Sequence, residues 1–363
     1  MFILKNSIEI YKNIFPNIRI EKDNSIITFT TEKEEALCFY ESACVYDASH
    51  WALFRLSGKD VLDFFNRIST NQMNSLQNYS LTSTLLLTEK GRIIDKVKLV
   101  HLKDDFILIG SPKNAERIFR WIERYVIMDD VQIEDVSQRY IYLKMLGRKV
   151  ESFTSLLFND QIQNAQLNKV YRYLSQNFTA YIYKTNIFKN HIGYEIISEK
   201  ETIDEFLTYV HSNLEMFDTK FIGEKAFEII RIEQGEPKYP NELNDTVNPH
   251  EADLMKDINT TKGCYIGQEV IARLETYDKV QKNLIGFSIS NEVIPKVSKI
   301  YFHAGEIGEM TSTVYSYKFK KQIGLGFVSR KVKPSGNGDN FQIKNENDKL
   351  INIDLHELPF VKL

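Results

Sequence analysis

Val61, Leu62, Phe64, Phe65 and Ile68 recur at the spacing of one helical face, and Ser57 stands ahead of them as a cap residue. This pattern predicts an amphipathic helix. The apolar run at 85–87 then reads as a buried strand. Two further strands at 97–102 and 106–109 are joined by the polar turn Lys103-Asp104-Asp105. Ser111-Pro112 supplies a cap and a first-turn proline for a second helix, whose apolar stripe is Ala115, Ile118, Phe119, Ile122, Tyr125 and Val126. Positions 139–147, 181–183 and 194–197 read as strands, and 161–176 as a polar loop or edge hairpin. Ile203, Phe206, Leu207 and Val210 mark another helix. Gly223-Glu224 opens one more, with Ala226, Phe227 and Ile230 inward.

After Lys282 the helical period disappears. Short strands alternate with Gly and Asn turns at 284–289, 306–316, 323–328, 341–343 and 350–355. That is the signature of a small antiparallel barrel or sandwich. The expected class is α+β, divided into regions 1–135, 136–235, 236–280 and 281–363, the third being a long loop segment.

Composition narrows the function classes. The chain has 363 residues, 26% charged and 43% hydrophobic, with net charge −3. No global basic field points to nucleic acid. No run approaches the ~18 apolar residues of a membrane span. The start, Met1-Phe2-Ile3-Leu4-Lys5-Asn6, lacks a long apolar stretch and a cleavage site, so a cytoplasmic protein is expected. Three cysteines cannot build a disulfide framework. His191, His250 and His303 are scattered without a zinc pattern. No stably bound metal is expected.

The densest chemistry lies in Lys262-Gly263-Cys264-Tyr265-Ile266-Gly267-Gln268-Glu269. One thiol sits between two glycines and two residues from a lysine. A nearby cation favours thiolate, which is the nucleophile and the metal ligand. The competing reading is a cysteine packed in a glycine-rich turn. Cys38 and Cys44 have no metal-ligand spacing with Cys264 and read as core cysteines.

The string K-G-C-Y-x-G-Q-E resembles the signature of the YgfZ family, within the YgfZ/GcvT group of folate-binding proteins. Other elements follow in the family's order: Asp47-Ala48-Ser49-His50, Leu56-Ser57-Gly58-Lys59-Asp60, Thr70-Asn71-Gln72, Lys90-Gly91-Arg92-Ile93-Ile94-Asp95, Gly193-Tyr194-Glu195 and Arg231-Ile232-Glu233-Gln234-Gly235. The resemblance implies a cloverleaf in which two mixed α/β domains surround a central folate funnel and a C-terminal antiparallel β-barrel completes the chain. It implies tetrahydrofolate or a derivative as cofactor, with Glu195 taking two parallel N–H donors at the pterin edge. Trp51 is then a pocket residue that stacks on the pterin or simply packs. Lys262 and Tyr265 join the cofactor-binding set. Asp95 either acts in the chemistry or satisfies its hairpin turn. Arg231 is expected to reach another domain as a structural ion pair.

Two departures from the aminomethyltransferase branch matter. That branch carries a second aspartate where this chain has Lys96, and an arginine where it has Phe227. A lysine cannot replace a carboxylate that stabilises a developing iminium. The implied function is a tetrahydrofolate-binding protein that supports assembly or repair of iron–sulfur clusters, in partnership with cluster carriers and client enzymes such as those modifying transfer RNA. Cys264 would then be a reactive thiol or transient cluster ligand. The alternatives are a folate-dependent aminomethyltransferase or demethylase, and a non-catalytic scaffold that recruits cluster carriers.

Overall fold

Two β-sheets face one another, and the ionic chemistry of the chain is concentrated where they meet. The computed structural model describes residues 7–21, 25–189, 191–289, 298–303, 305–332, 341–344 and 350–361. The opening six residues and Asn190 lie outside the described residues.

The first sheet has five strands in the order Ser80–Leu87, Ile93–His101, Phe106–Gly110, Ala52–Ser57, Gln132–Asp135. Its outer face is covered by the helices Val61–Ile68 and Ala115–Glu123, and Phe64, Phe65, Ile118 and Ile122 are fully buried there. Each such side chain contributes roughly 1.5–3 kcal/mol of burial. The second sheet has six strands in the order Val170–Leu174, Thr179–Phe188, His191–Glu199, Tyr140–Leu146, Cys44–Asp47, Lys220–Ile222. Its outer face packs on Val150–Phe158 and Ile203–Ser212 through Phe153, Leu157, Phe206 and Val210. The inner faces bury Leu53, Val100, Ile107 and Ile109 of one sheet against Tyr142, Tyr183 and Ile197 of the other. Residues 44–47, early in the chain, belong to the second sheet, so the two layers are not consecutive in sequence.

The C-terminal pattern is a closed six-stranded antiparallel barrel that begins at Lys282. Arg231, on helix Glu224–Glu233, docks it. The guanidinium donates to Ser312 Oγ at 2.7 Å and Glu228 at 2.6 Å, and lies 3.3 Å from Glu242. Glu242 in turn accepts from Ser312 at 2.6 Å. The expected cross-domain role of Arg231 is what the fold displays.

Several local expectations are corrected. The helix at 61–68 starts after Asp60, not at Ser57. The next helix starts at Ala115, three residues after Pro112, because Ser111 does not cap it. Ser111 instead gives its backbone N–H and its hydroxyl to Asp95, at 2.9 and 2.6 Å. The polar stretch at 161–176 does hold an edge hairpin, one of its two readings, with strand Val170–Leu174 pairing antiparallel with Thr179–Phe188. Helices Glu32–Glu41, Val150–Phe158 and Gln268–Thr276 were not anticipated.

His191, at the start of a second-sheet strand, is 8% exposed, and its Nε2 accepts the Gly147 N–H at 3.0 Å. Burial lowers its pKa to about 4. The unfolded chain binds this proton near pH 6.5, so the contribution to stability is complete above pH 6.5 and is lost as pH falls toward 4. Up to about 3 kcal/mol is expected to disappear over that window. Urea denaturation at pH 7.5 and pH 4.5 checks this. His191→Gln should lose markedly less stability on acidification than the wild type, and equal losses would contradict the assignment.

Candidate functional site

Strand register builds the site. Tyr46 pairs with Lys144, Lys144 with Glu195, and Glu195 with Tyr183, so one row crosses four adjacent strands of the second sheet. Directly paired residues share a face, and Tyr142, two positions from Lys144, shares it as well. The Asp47-Ala48-Ser49-His50 turn fixes the next piece. Asp47 accepts from the Ser49 N–H at 2.8 Å, Ser49 Oγ accepts from the Tyr142 N–H at 3.0 Å, and Trp51 is thereby held over the row. From the first sheet, Lys96 and Lys98 alternate onto the same face of Ile93–His101 and point at this row.

Glu195 is fully buried. Lys98 Nζ lies 2.5 Å from its Oε1, and Lys144 Nζ lies 3.9 Å from the same oxygen. Burial alone would raise the carboxyl pKa, but the two ammonium groups outweigh it and hold the pKa below the ordinary value. Oε2 is buried and without a hydrogen-bond partner among the described residues, as are the Tyr142 and Tyr183 hydroxyls and Trp51 Nε1. The two phenols are raised well above the usual tyrosine value, by burial first and by the Glu195 charge second. They therefore lie near the carboxylate without completing hydrogen bonds to it. Buried polar groups are almost always paired, so this cluster of orphans calls for a partner, whether water or ligand.

Lys144 stands over the Trp51 ring, 3.2 Å from its centroid. Desolvation pulls its pKa down to about 7, against the opposing pull of Glu195. Beside it, Lys96 pairs with Glu236 at 2.8 Å and lies 3.7 Å from Asp257, whose Oδ2 is a further buried orphan. These carboxylates outweigh desolvation and raise the Lys96 pKa. A cleft of about 310 Å³, lined by Lys189, Glu236, Lys256, Leu284 and Leu358 among others, lies between the barrel and the loop after helix Glu224–Glu233. A larger hollow of about 650 Å³ over His211 and Lys220 holds one buried orphan, Thr219 Oγ1.

The expected site residues divide. Glu195 and Trp51 come together. Glu195, however, offers one free oxygen rather than the expected pair, because Lys98 holds the other. One face of Trp51 carries Lys144. Asp95 is fully buried, and its donors are the Lys96 N–H and Ser111 beyond strand Phe106–Gly110, not the hairpin turn. The Lys262 ammonium is committed to backbone carbonyls. Its Nζ donates to the carbonyls of Asn66, Ser69 and Asn71 at 2.5, 2.7 and 2.8 Å, at the carbonyl end of helix Val61–Ile68, where a cation belongs. Tyr265 packs with Leu85, Leu87 and Ile271 in a separate apolar cluster rather than in the pocket. Gly267 has φ +84°, and a Cβ there would meet Thr88 O at 2.7 Å and Gly91 Cα at 3.2 Å, so the two glycine turns nest.

Cys264 is exposed, whereas Cys38 is 4% exposed and Cys44 is fully buried. In native protein, alkylation of Cys264 is expected to outpace the other two by on the order of a hundredfold. Mass spectrometry over time checks this, and comparable labelling of Cys38 would contradict it.

Lys98, Lys144, Tyr142 and Tyr183 were missed. The one available signal was a lone lysine inside the apolar run Ile141-Tyr142-Leu143-Lys144-Met145-Leu146.

Comparison with known proteins fits this geometry. The GCVT N-terminal domain matches residues 12–262, and the glycine cleavage T-protein C-terminal barrel domain matches 282–362. The chain belongs to the glycine cleavage T-protein family. Among its relatives in this family is the aminomethyltransferase of Thermotoga maritima, 23% identical over 336 residues, covering 92% of this chain and 90% of that one. A chloroplastic protein of Arabidopsis thaliana that carries a provisional transferase name is 25% identical over 320 residues, 88% of this chain and 73% of that one. The crystal structure of glycine cleavage system aminomethyltransferase T from Bartonella henselae superposes with a TM-score of 0.82 at 17% identity, over 98% of this chain and 96% of that chain. The T-protein fold is thus established for this chain. No helix among the described residues is long and apolar enough to cross a membrane.

Proposed function

We propose that the chain binds tetrahydrofolate between its two sheets and serves as a folate-dependent one-carbon transferase. The observation that carries this reading is the set of orphaned buried polar atoms around Glu195: one carboxylate oxygen, two phenols and an indole N–H. A flat heterocycle with N–H donors and ring acceptors satisfies such a set. Glu195 Oε2 would take an N–H of the pterin edge, Tyr142 and Tyr183 would bond its polar rim, and Trp51 would cover its apolar surface. The bound folate would supply the nitrogen that accepts a one-carbon unit. The names of the relatives support a transferase of this class.

The donor differs from that of glycine cleavage in this reading. Lys96 stands where the aminomethyltransferases carry their second carboxylate, and it is held by Glu236 and Asp257. Phe227, at the arginine position, stacks on Tyr46 with centroids 3.9 Å apart. Purified protein mixed with tetrahydrofolate and an aminomethyl-loaded lipoyl carrier is therefore expected to give no transfer, and clear turnover would make it an ordinary aminomethyltransferase.

A second reading, the YgfZ-like role in assembly or repair of iron–sulfur clusters, is favoured by one observation: Cys264 is exposed, and Gly263 beside it has no atom within 4 Å of an added Cβ. A Cys264→Ser strain scored for iron–sulfur enzyme activity separates the two. The transferase reading predicts full activity, and the second predicts its loss.

A further inference from the structure

The lysines of this region are not equivalent. Lys96 has Glu236 at 2.8 Å, Lys98 has Glu195 at 2.5 Å, and Lys262 has three carbonyls within 2.8 Å. Lys144 is 4% exposed, yet the closest carboxylate oxygen is 3.9 Å away and already held by Lys98. Its Nζ rests on the Trp51 face and is not pinned by a hydrogen-bonded anion. An amine stripped of water and placed near other cations carries its lone pair in a large share of molecules near neutral pH, the condition under which lysines act as nucleophiles toward carbonyls.

We propose that Lys144 is a carbonyl-capturing amine, its Nζ condensing with a small aldehyde held against Trp51 and Glu195, formaldehyde being the one-carbon member of that class. The inference rests on the pocket assigned above to one-carbon chemistry. The step balances without an oxidant or reductant. The amine lone pair forms a C–N bond to the carbonyl carbon, and the π pair moves to oxygen, which takes up a proton as the nitrogen gives one up. The C–O bond of the carbinolamine then breaks, water leaves, and a C=N bond remains. Tyr142 and Tyr183, whose hydroxyls have no hydrogen-bond partner among the described residues, would carry the proton, and Glu195 would balance the iminium charge. The charged groups facing Lys144 pull in two directions. Lys98 and Lys96 on the opposing sheet favour the neutral amine after the larger effect of desolvation, while Glu195 and Glu236 restrain it.

The test uses the full chain with formaldehyde and cyanoborohydride, the hydride fixing each imine as a methylamine, followed by peptide mapping over time. No folate is present, so a failure of folate to bind leaves the outcome unchanged. At pH 7, Lys144 is expected to be methylated roughly a hundredfold faster than exposed lysines such as Lys33 and Lys103. Its rate should level off above about pH 7, whereas theirs keep rising. Glu195→Gln removes the restraining charge and should move that plateau to lower pH. Lys144→Arg, with its fold checked by circular dichroism, should abolish the fast site. Labelling of Lys144 no faster than that of the surface lysines, or a rate that climbs in parallel with theirs, overturns the proposal.

Discussion

Glu195→Ala is expected to destabilise the fold by roughly 3–5 kcal/mol, because it leaves the Lys98 ammonium buried between the sheets without its partner. The magnitude follows from an asymmetry. A buried ion pair gains little over apolar packing, since desolvation of both charges offsets their attraction. Removing one partner leaves the other's desolvation uncompensated. Glu195 is fully buried, and Lys98 is mostly so. Glu195→Gln, which keeps the shape and one acceptor, should cost less, about 1–3 kcal/mol. The decisive comparison is the double variant Glu195→Ala with Lys98→Met. If the unpaired charge is the cause, urea denaturation will show the double variant recovering much of the stability lost by the single one. If both lose the same amount, cavity formation rather than charge explains the cost.

Arg231→Ala is expected to cost a similar amount, about 3–5 kcal/mol, and to show it in a different place. The side chain of Arg231 is 3% exposed and joins Glu228, Glu242 and Ser312 in one network, with a further bond to the Glu236 carbonyl at 2.9 Å. Ser312 lies on the barrel strand Gly305–Ser316, so the loss should loosen the barrel against helix Glu224–Glu233. Hydrogen exchange should speed up in that strand before it does in the two sheets. Arg231→Lys keeps the charge but loses the planar fork, and should recover only part of the stability. Exchange that rises evenly over the whole chain would contradict the docking role.

Much of the architecture was legible in the sequence because it rests on period. Phe64, Phe65 and Ile68 announce a helix by spacing alone, and the loss of helical period after Lys282 marks the barrel. Local competition hid the rest. Ser111 has the chemistry of a helix cap, but a buried Asp95 on the adjacent strand takes its donors, and the helix starts later. Val150–Phe158 carries β-branched and aromatic residues that do not favour a helix, and its packing against the second sheet overrides them. Lys262 looked like a thiol activator because sequence proximity was all that could be seen. The carbonyls of Asn66, Ser69 and Asn71 that hold it are nearly two hundred positions away in the chain. The site itself was half legible. Glu195 and Trp51 could be carried over from the motifs that hold them, whereas Lys98 and Lys144 reach the site only through register and sheet stacking, which a linear motif does not encode.

The central claim is that the orphaned groups around Glu195 form a folate site, and anaerobic titration of tetrahydrofolate tests it most directly. The chain has two tryptophans, Trp51 in the site and Trp121 on an outer helix. A Trp121→Phe background therefore makes Trp51 emission a local reporter. Saturable quenching is predicted, with affinity weakened roughly ten- to a hundredfold by Glu195→Gln, the loss of one charged hydrogen bond of about 1.5–3 kcal/mol. Absence of saturable binding by the parent protein, or an affinity unchanged by Glu195→Gln, would contradict the account.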